Sequence, residues 1–156
     1  MKLASTAFDN GRSIPRKYGY KARNVNPPLS ISEVPDDTKS LALIMDDPDA
    51  VKPAGKIWVH WLMWNISADT TEIPEGRVPS GATQGKTDFD ETKYGGPAPP
   101  DGQHTYLFKL YALTKSLNLK EGSSKEELRS AMKGHVIDTA ILKGKYAPIA
   151  HRKTSE

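Results

Sequence analysis

Leu41-Ala42-Leu43-Ile44-Met45 runs directly into Asp46-Asp47-Pro48-Asp49-Ala50, and this junction sets the architecture. Five successive apolar residues are too few for an independent helix. The turn residues that close the run mark it as a strand covered on both faces. Ile57 to Ile66 is a second such run, and Leu107-Phe108-Lys109-Leu110-Tyr111-Ala112-Leu113 is a third, closed by a polar turn from Thr114 to Asn118. Outward from these central strands, Ser5-Thr6-Ala7-Phe8 and Leu29-Ser30-Ile31 read as shorter edge strands, separated by a segment carrying Pro15, Gly19, Pro27 and Pro28. A helix signal comes late. Ser124-Lys125-Glu126-Glu127 has the form of a capping box, and Leu128 and Met132 then fall four apart on one face. Gly134 ends or weakens that helix, Val136 to Leu142 reads as a second helical piece, and a last short strand is expected near Lys145-Tyr146.

A chain of 156 residues without internal repeat or linker is expected to form one domain, residues 1–156, able to bury most of its apolar surface without staples. There is no Cys, which excludes thiolate catalysis, Cys-type zinc sites and a disulfide framework. Residues 1–10 carry one Lys and no apolar run of signal-peptide length, and no stretch approaches a membrane span, so a cytoplasmic location without membrane insertion is expected. Lys and Arg number 22 against 19 Asp and Glu. They are spread along the chain rather than gathered into a stripe with interleaved aromatics, so nucleic acid is not an expected partner. The basic group His151-Arg152-Lys153 reads as a solvated end.

Function is carried by polar residues set in or beside apolar stretches. Asp47 and Asp49 follow the first strand and flank Pro48. In Trp58-Val59-His60-Trp61, strand alternation puts Trp58, His60, Leu62 and Trp64 on one face. His104 opens the third long strand, with Tyr106 two residues on. Each alone has a structural explanation, a turn cap for the aspartates and a satisfied core position for the histidines. Between Pro79 and Gln103 the chain lacks apolar periodicity, and Gly95-Gly96 followed by Pro97, Pro99 and Pro100 builds a stiff, backbone-lined rim.

Taken together, these motifs resemble the phosphatidylethanolamine-binding protein family in its bacterial and archaeal branch (Raf kinase inhibitor protein-like). The likeness runs from Phe8 and Ile14-Pro15 through Asn26-Pro27-Pro28-Leu29, Asp46-Asp47-Pro48-Asp49-Ala50, Trp58-Val59-His60-Trp61 and Tyr94-Gly95-Gly96-Pro97 to His104, and on to Phe108–Leu113 and Gly134-His135-Val136. It implies an all-β-dominated fold, antiparallel strands in two sheets with one or two peripheral helices, and a small anion pocket for phosphate-like head groups. Position by position, the ligand-binding residues implied are Asp47, Asp49, Trp58, His60, Gly96, His104 and Tyr106. Val51 stands where the family commonly has Pro, and Thr105 where many members have Arg.

In such a pocket both imidazoles are expected to donate to an anion, Asp47 to orient one of them, and the backbone around Gly96 and the Tyr106 hydroxyl to complete the donor set. Replacing His104 is expected to weaken binding more than stability. With no evident nucleophile, P-loop or metal cage, the expectation is a binding protein, not an enzyme, with no catalytic residue, cofactor or metal. Its partner would be a phosphorylated small molecule or the phospho-group of a protein, in a regulatory, kinase-inhibitor-like role. Family analogy adds a homodimer and a kinase or protease partner. The alternatives are a serine protease inhibitor of the same family, or a metal-dependent enzyme using Asp47, His60 and His104 as a facial triad.

Overall fold

The structure, a computed structural model, describes residues 1–148; His151-Arg152-Lys153 lies outside them. Its centre is β4 (Ser40–Asp47), following β1 (Lys2–Ala4), β2 (Arg12–Ser13) and β3 (Leu29–Ser32). All eight residues of β4 are buried, as an uninterrupted apolar run requires. It pairs antiparallel with β5 (Trp58–Ser67) on one side and β8 (His104–Leu113) on the other. The short β6 (Glu72–Ile73) and β7 (Thr83–Gln84) and the long β9 (Val136–Tyr146) complete the strands. A six-stranded sheet runs β2-β9-β8-β4-β5-β7 and a three-stranded sheet runs β1-β3-β6. Pairing is antiparallel except for the two-residue parallel match of β2 with β9.

The two faces of β4 meet different covers. Leu41, Leu43 and Met45 pack with Trp61, Met63, Phe108 and Leu110 beneath Leu3, Leu29, Ile31 and Ile73 of the smaller sheet. Ala42 and Ile44 pack with Leu62 and Trp64 against Leu128 and Met132 of α2 (Lys125–Met132); a single helical turn, α1 (Val51–Ala54), lies earlier. Fully burying each large aliphatic contributes about 1.5–3 kcal/mol, so the large sheet is stable because both faces are covered. The capping box is present as expected: the Ser124 hydroxyl accepts from the Glu127 N–H, and the Glu127 carboxylate accepts from the Ser124 N–H.

Three expectations change. Val136 to Leu142 is not helical, because β9 pairs with β8 along nearly its whole length, and Ala140, Leu142 and Tyr146 alternate inward with period two. Ser5–Phe8 is not a strand; β1 lies just before it. Leu29–Ile31 is the middle strand of its sheet, not an edge.

Candidate functional site

β5 departs from regular alternation at the residue that matters most. Asp46 pairs with Val59 and Met45 with Trp61, so His60 is an extra residue bulged out of the ladder. The bulge shifts the side-chain phase. Val59 then shares a face with Leu62 and Trp64, while Trp61 and Met63 join the opposite core. The expected single face of Trp58, His60, Leu62 and Trp64 is therefore split after His60. Only Trp58 and His60 reach the cavity.

That cavity, about 180 Å³, lies at the carboxyl end of β4 and is lined by Asp47, Trp58, His60, Phe89, His104 and Tyr106, with Ala and Pro residues of α1 and of the 97–100 segment. Asp47 and His104 come together because β4 ends where β8 begins. His104 Nδ1–H donates to Asp47 Oδ2 at 2.6 Å, and the other Asp47 oxygen accepts the Asp49 N–H at 2.9 Å. On the far side of the ring, His104 Nε2–H donates to Asp101 Oδ1 at 2.6 Å. Burial opposes charge on His104, but the two carboxylates outweigh it and raise its pKa, and a ring that faces a carboxylate oxygen from each nitrogen satisfies both as the imidazolium. Burial also raises the Asp47 pKa, against the lowering pull of His104.

His60 has the opposite character. It is buried, and desolvation lowers its pKa to about 4 despite the hydrogen bond to Gly95. The neutral ring donates Nδ1–H to the Gly95 carbonyl at 2.7 Å, which makes Nε2 an acceptor. The sequence leads one to expect donors from both imidazoles. Only His104 is one. The Tyr106 ring stands edge-on to His60 at 5.1 Å, and its hydroxyl is fully buried, with the Ala98 backbone and the Asp47 carboxylate as polar neighbours but with no partner among the described residues in hydrogen-bonding geometry. Burial, and then the Asp47 charge, push the Tyr106 phenol well up.

Two expected ligand residues do not line the cavity. Asp49 is exposed, and its carboxylate accepts the Thr105 N–H at 2.8 Å, tying the turn after β4 to the start of β8 and so holding His104 in place. Gly96 is a packing glycine: its N–H donates to the Asn24 side chain, and a Cβ there would run into the Tyr18 carbonyl and the backbone of Gly19 and Tyr20. Asp46, adjacent to Asp47, turns elsewhere and accepts from Lys109 and Lys125. The facial metal arrangement of Asp47, His60 and His104 is not formed, since Asp47 faces His104. Among the described residues no group of three such side chains is placed to hold an ion.

Phe89, in the cavity wall, and Asp101, which reaches the site through His104, carry no periodic signal in the sequence. Phe89 stands edge-on to Trp58 at 5.7 Å and to His60 at 5.4 Å, and stacks on Tyr20 at 4.1 Å. Asp101 sits in the glycine- and proline-rich rim. No periodicity points to either one; the three-residue spacing from Asp101 to His104 is the one available clue.

A family model for phosphatidylethanolamine-binding protein matches residues 4–147. A UPF0098 protein of Methanothermobacter thermautotrophicus is 46% identical, with 94% of this chain and 98% of that protein covered. One from Chlamydia trachomatis is 44% identical over the same shares. Among solved structures, a phosphatidylethanolamine-binding protein homolog from Chlamydia trachomatis superposes with a TM-score of 0.88 at 43% identity, covering 93% of this chain and 95% of that one. YbcL of E. coli, described as a new member of the mammalian family, gives 0.87 at 31% identity, covering 96% and 98%. With matched motifs, matched strands and relatives of nearly the same length, the chain belongs to the phosphatidylethanolamine-binding protein family.

Proposed function

We propose that the cavity binds a phosphoryl-type anion, carried by a small molecule, a lipid head group or a protein side chain, and that the domain is a binding and regulatory protein in a kinase-inhibitor-like role. One observation carries this reading: the Tyr106 hydroxyl is buried without a partner beside an imidazolium fixed by Asp47. An unmatched buried hydroxyl is costly, and a ligand oxygen would satisfy it. His104 and Tyr106 supply donors, and His60 Nε2 supplies an acceptor. That set complements a phosphoryl group keeping one proton, the form that dominates below its second pKa of about 6. The walls formed by Trp58, Phe89 and the prolines would exclude water and strengthen each charged contact. Binding rather than turnover fits a lining in which no Ser, Thr or Lys is set beside a base.

The test is an NMR titration with inorganic phosphate and phosphoethanolamine, following the His60 and His104 rings. Both rings are expected to shift. Tyr106→Phe is expected to weaken binding about ten- to a hundredfold while leaving stability unchanged or slightly higher, because the hydroxyl has no partner to lose in the free protein. Unperturbed rings at saturating anion, or an unchanged affinity in Tyr106→Phe, would refute the reading.

A further inference from the structure

His104 is held by two carboxylates of very different standing. Asp47 is buried, its side chain 4% exposed, and its second oxygen is fixed by the Asp49 N–H. Asp101 is 45% exposed, belongs to the rim segment rather than to a strand, and has His104 Nε2 as its side-chain partner. One carboxylate suffices to orient an imidazole. Asp101 therefore adds little to the placement of the ring, yet it occupies the Nε2–H that faces outward from the buried pair.

The charges make this consequential for the anion reading, on which the inference rests. With Asp101 in place, one imidazolium faces two carboxylates. An external anion entering beside them would add a third negative group around a single cation, while the one charged donor remained taken. We infer that Asp101 is an internal competitor: its carboxylate stands where a ligand oxygen would bind, and an incoming anion takes His104 Nε2–H by displacing it. Lys52, exposed on α1, is near enough to stabilise the Asp101 charge, and offers the displaced carboxylate a second counter-ion. The residue thereby sets an affinity threshold for the site. The apparent affinity of any anion is the intrinsic one divided by one plus the closed-to-open ratio of the rim. Because that divisor belongs to the protein, it is the same for every ligand.

The experiment measures affinities for inorganic phosphate and for acetate, by NMR or calorimetry, in the wild type, Asp101→Asn and Asp101→Ala, at about 0.15 M ionic strength to screen long-range charge. Asp101 is half-exposed on a rim segment, so both variants keep the core intact. Asp101→Ala is expected to tighten both anions by one common factor, roughly three- to thirtyfold. Asp101→Asn is expected to give a smaller common factor, because its amide oxygen still accepts from Nε2. Tightening of phosphate alone would mean through-space repulsion and overturn the competitor. Equal or weaker affinities in the variants would also overturn it, while leaving the anion site standing. If neither anion shifts the His104 or His60 rings in any of the three proteins, the anion reading fails and the competitor with it. Anion binding in the variants with none in the wild type would be the competitor at full strength.

Discussion

Replacing His104 with Ala removes the site's charged donor and also strands Asp47, whose carboxylate is buried and keeps only the Asp49 N–H. Anion affinity is expected to fall about ten- to a hundredfold. Stability is expected to fall too, by about 1–3 kcal/mol, since a buried carboxylate left without its ring must be desolvated or protonated. Urea unfolding of His104→Ala beside the double variant His104→Ala/Asp47→Asn checks this: the double variant should recover much of the loss. In the sequence His104 is a residue at a strand entrance with little apparent weight in stability, because the partner that makes its loss costly lies 57 positions away. Asp47, Trp58, His60, His104 and Tyr106 are legible as residues that line one cavity because each lies on or at the end of a strand whose pattern is strong. Asp101 and Phe89 are not, because the long rim has no period from which a facing direction can be read.

Among the strands and helices, β4 and the capped α2 are legible for the same reason: local signal and tertiary demand agree. Ser124→Ala removes the hydroxyl that accepts the Glu127 N–H while leaving the backbone N–H of residue 124 to the Glu127 carboxylate, and is expected to cost about 1 kcal/mol, seen as a lower urea midpoint with an unchanged denaturant slope. β9 is easily misread because Val136-Ile137 and Ile141-Leu142 mimic helical spacing. Its true phase shows only through small residues: Ala140 faces inward, and at Gly144 a Cβ would collide with Ile14 and Phe8. The bulge at His60 is hidden for a different reason. A single inserted residue has no composition of its own, yet it places two successive side chains, His60 and Trp61, on the cavity side and in the adjoining core.

Across the domain, the two imidazoles impose opposite pH limits. Folded His60 titrates at about 4 rather than near 6.5, so the unfolded chain takes up a proton that the folded chain refuses. Stability is therefore expected to fall as pH drops from 6.5 to 4, with His60 alone contributing up to about 3 kcal/mol. His104 has a raised folded pKa. Its contribution to stability is complete below 6.5 and is lost as pH rises through that raised value. Anion affinity should decline over the same upper range as the imidazolium loses its proton. Unfolding midpoints and phosphate titrations across about pH 4–9 check both limits, and His60→Gln should flatten the acid side while leaving the alkaline side in place.

Short strands close both sheets. The six-stranded sheet ends in β2 and β7, each two residues long, and the smaller sheet ends in β1, with three residues, and β6, with two. Unpaired backbone along a long, flat margin is what lets one protein molecule zip onto another and seed fibrils. Here β4 and β8 are paired along both sides, but β9 meets β2 only at Gly144 and Lys145, so the outer margin of β9 from Val136 to Leu142 carries no strand partner among the described residues. Two molecules of this protein that met in solution would find a ladder to extend, the outer margin of β9 between Val136 and Leu142, and ordered aggregation from the folded state would start there.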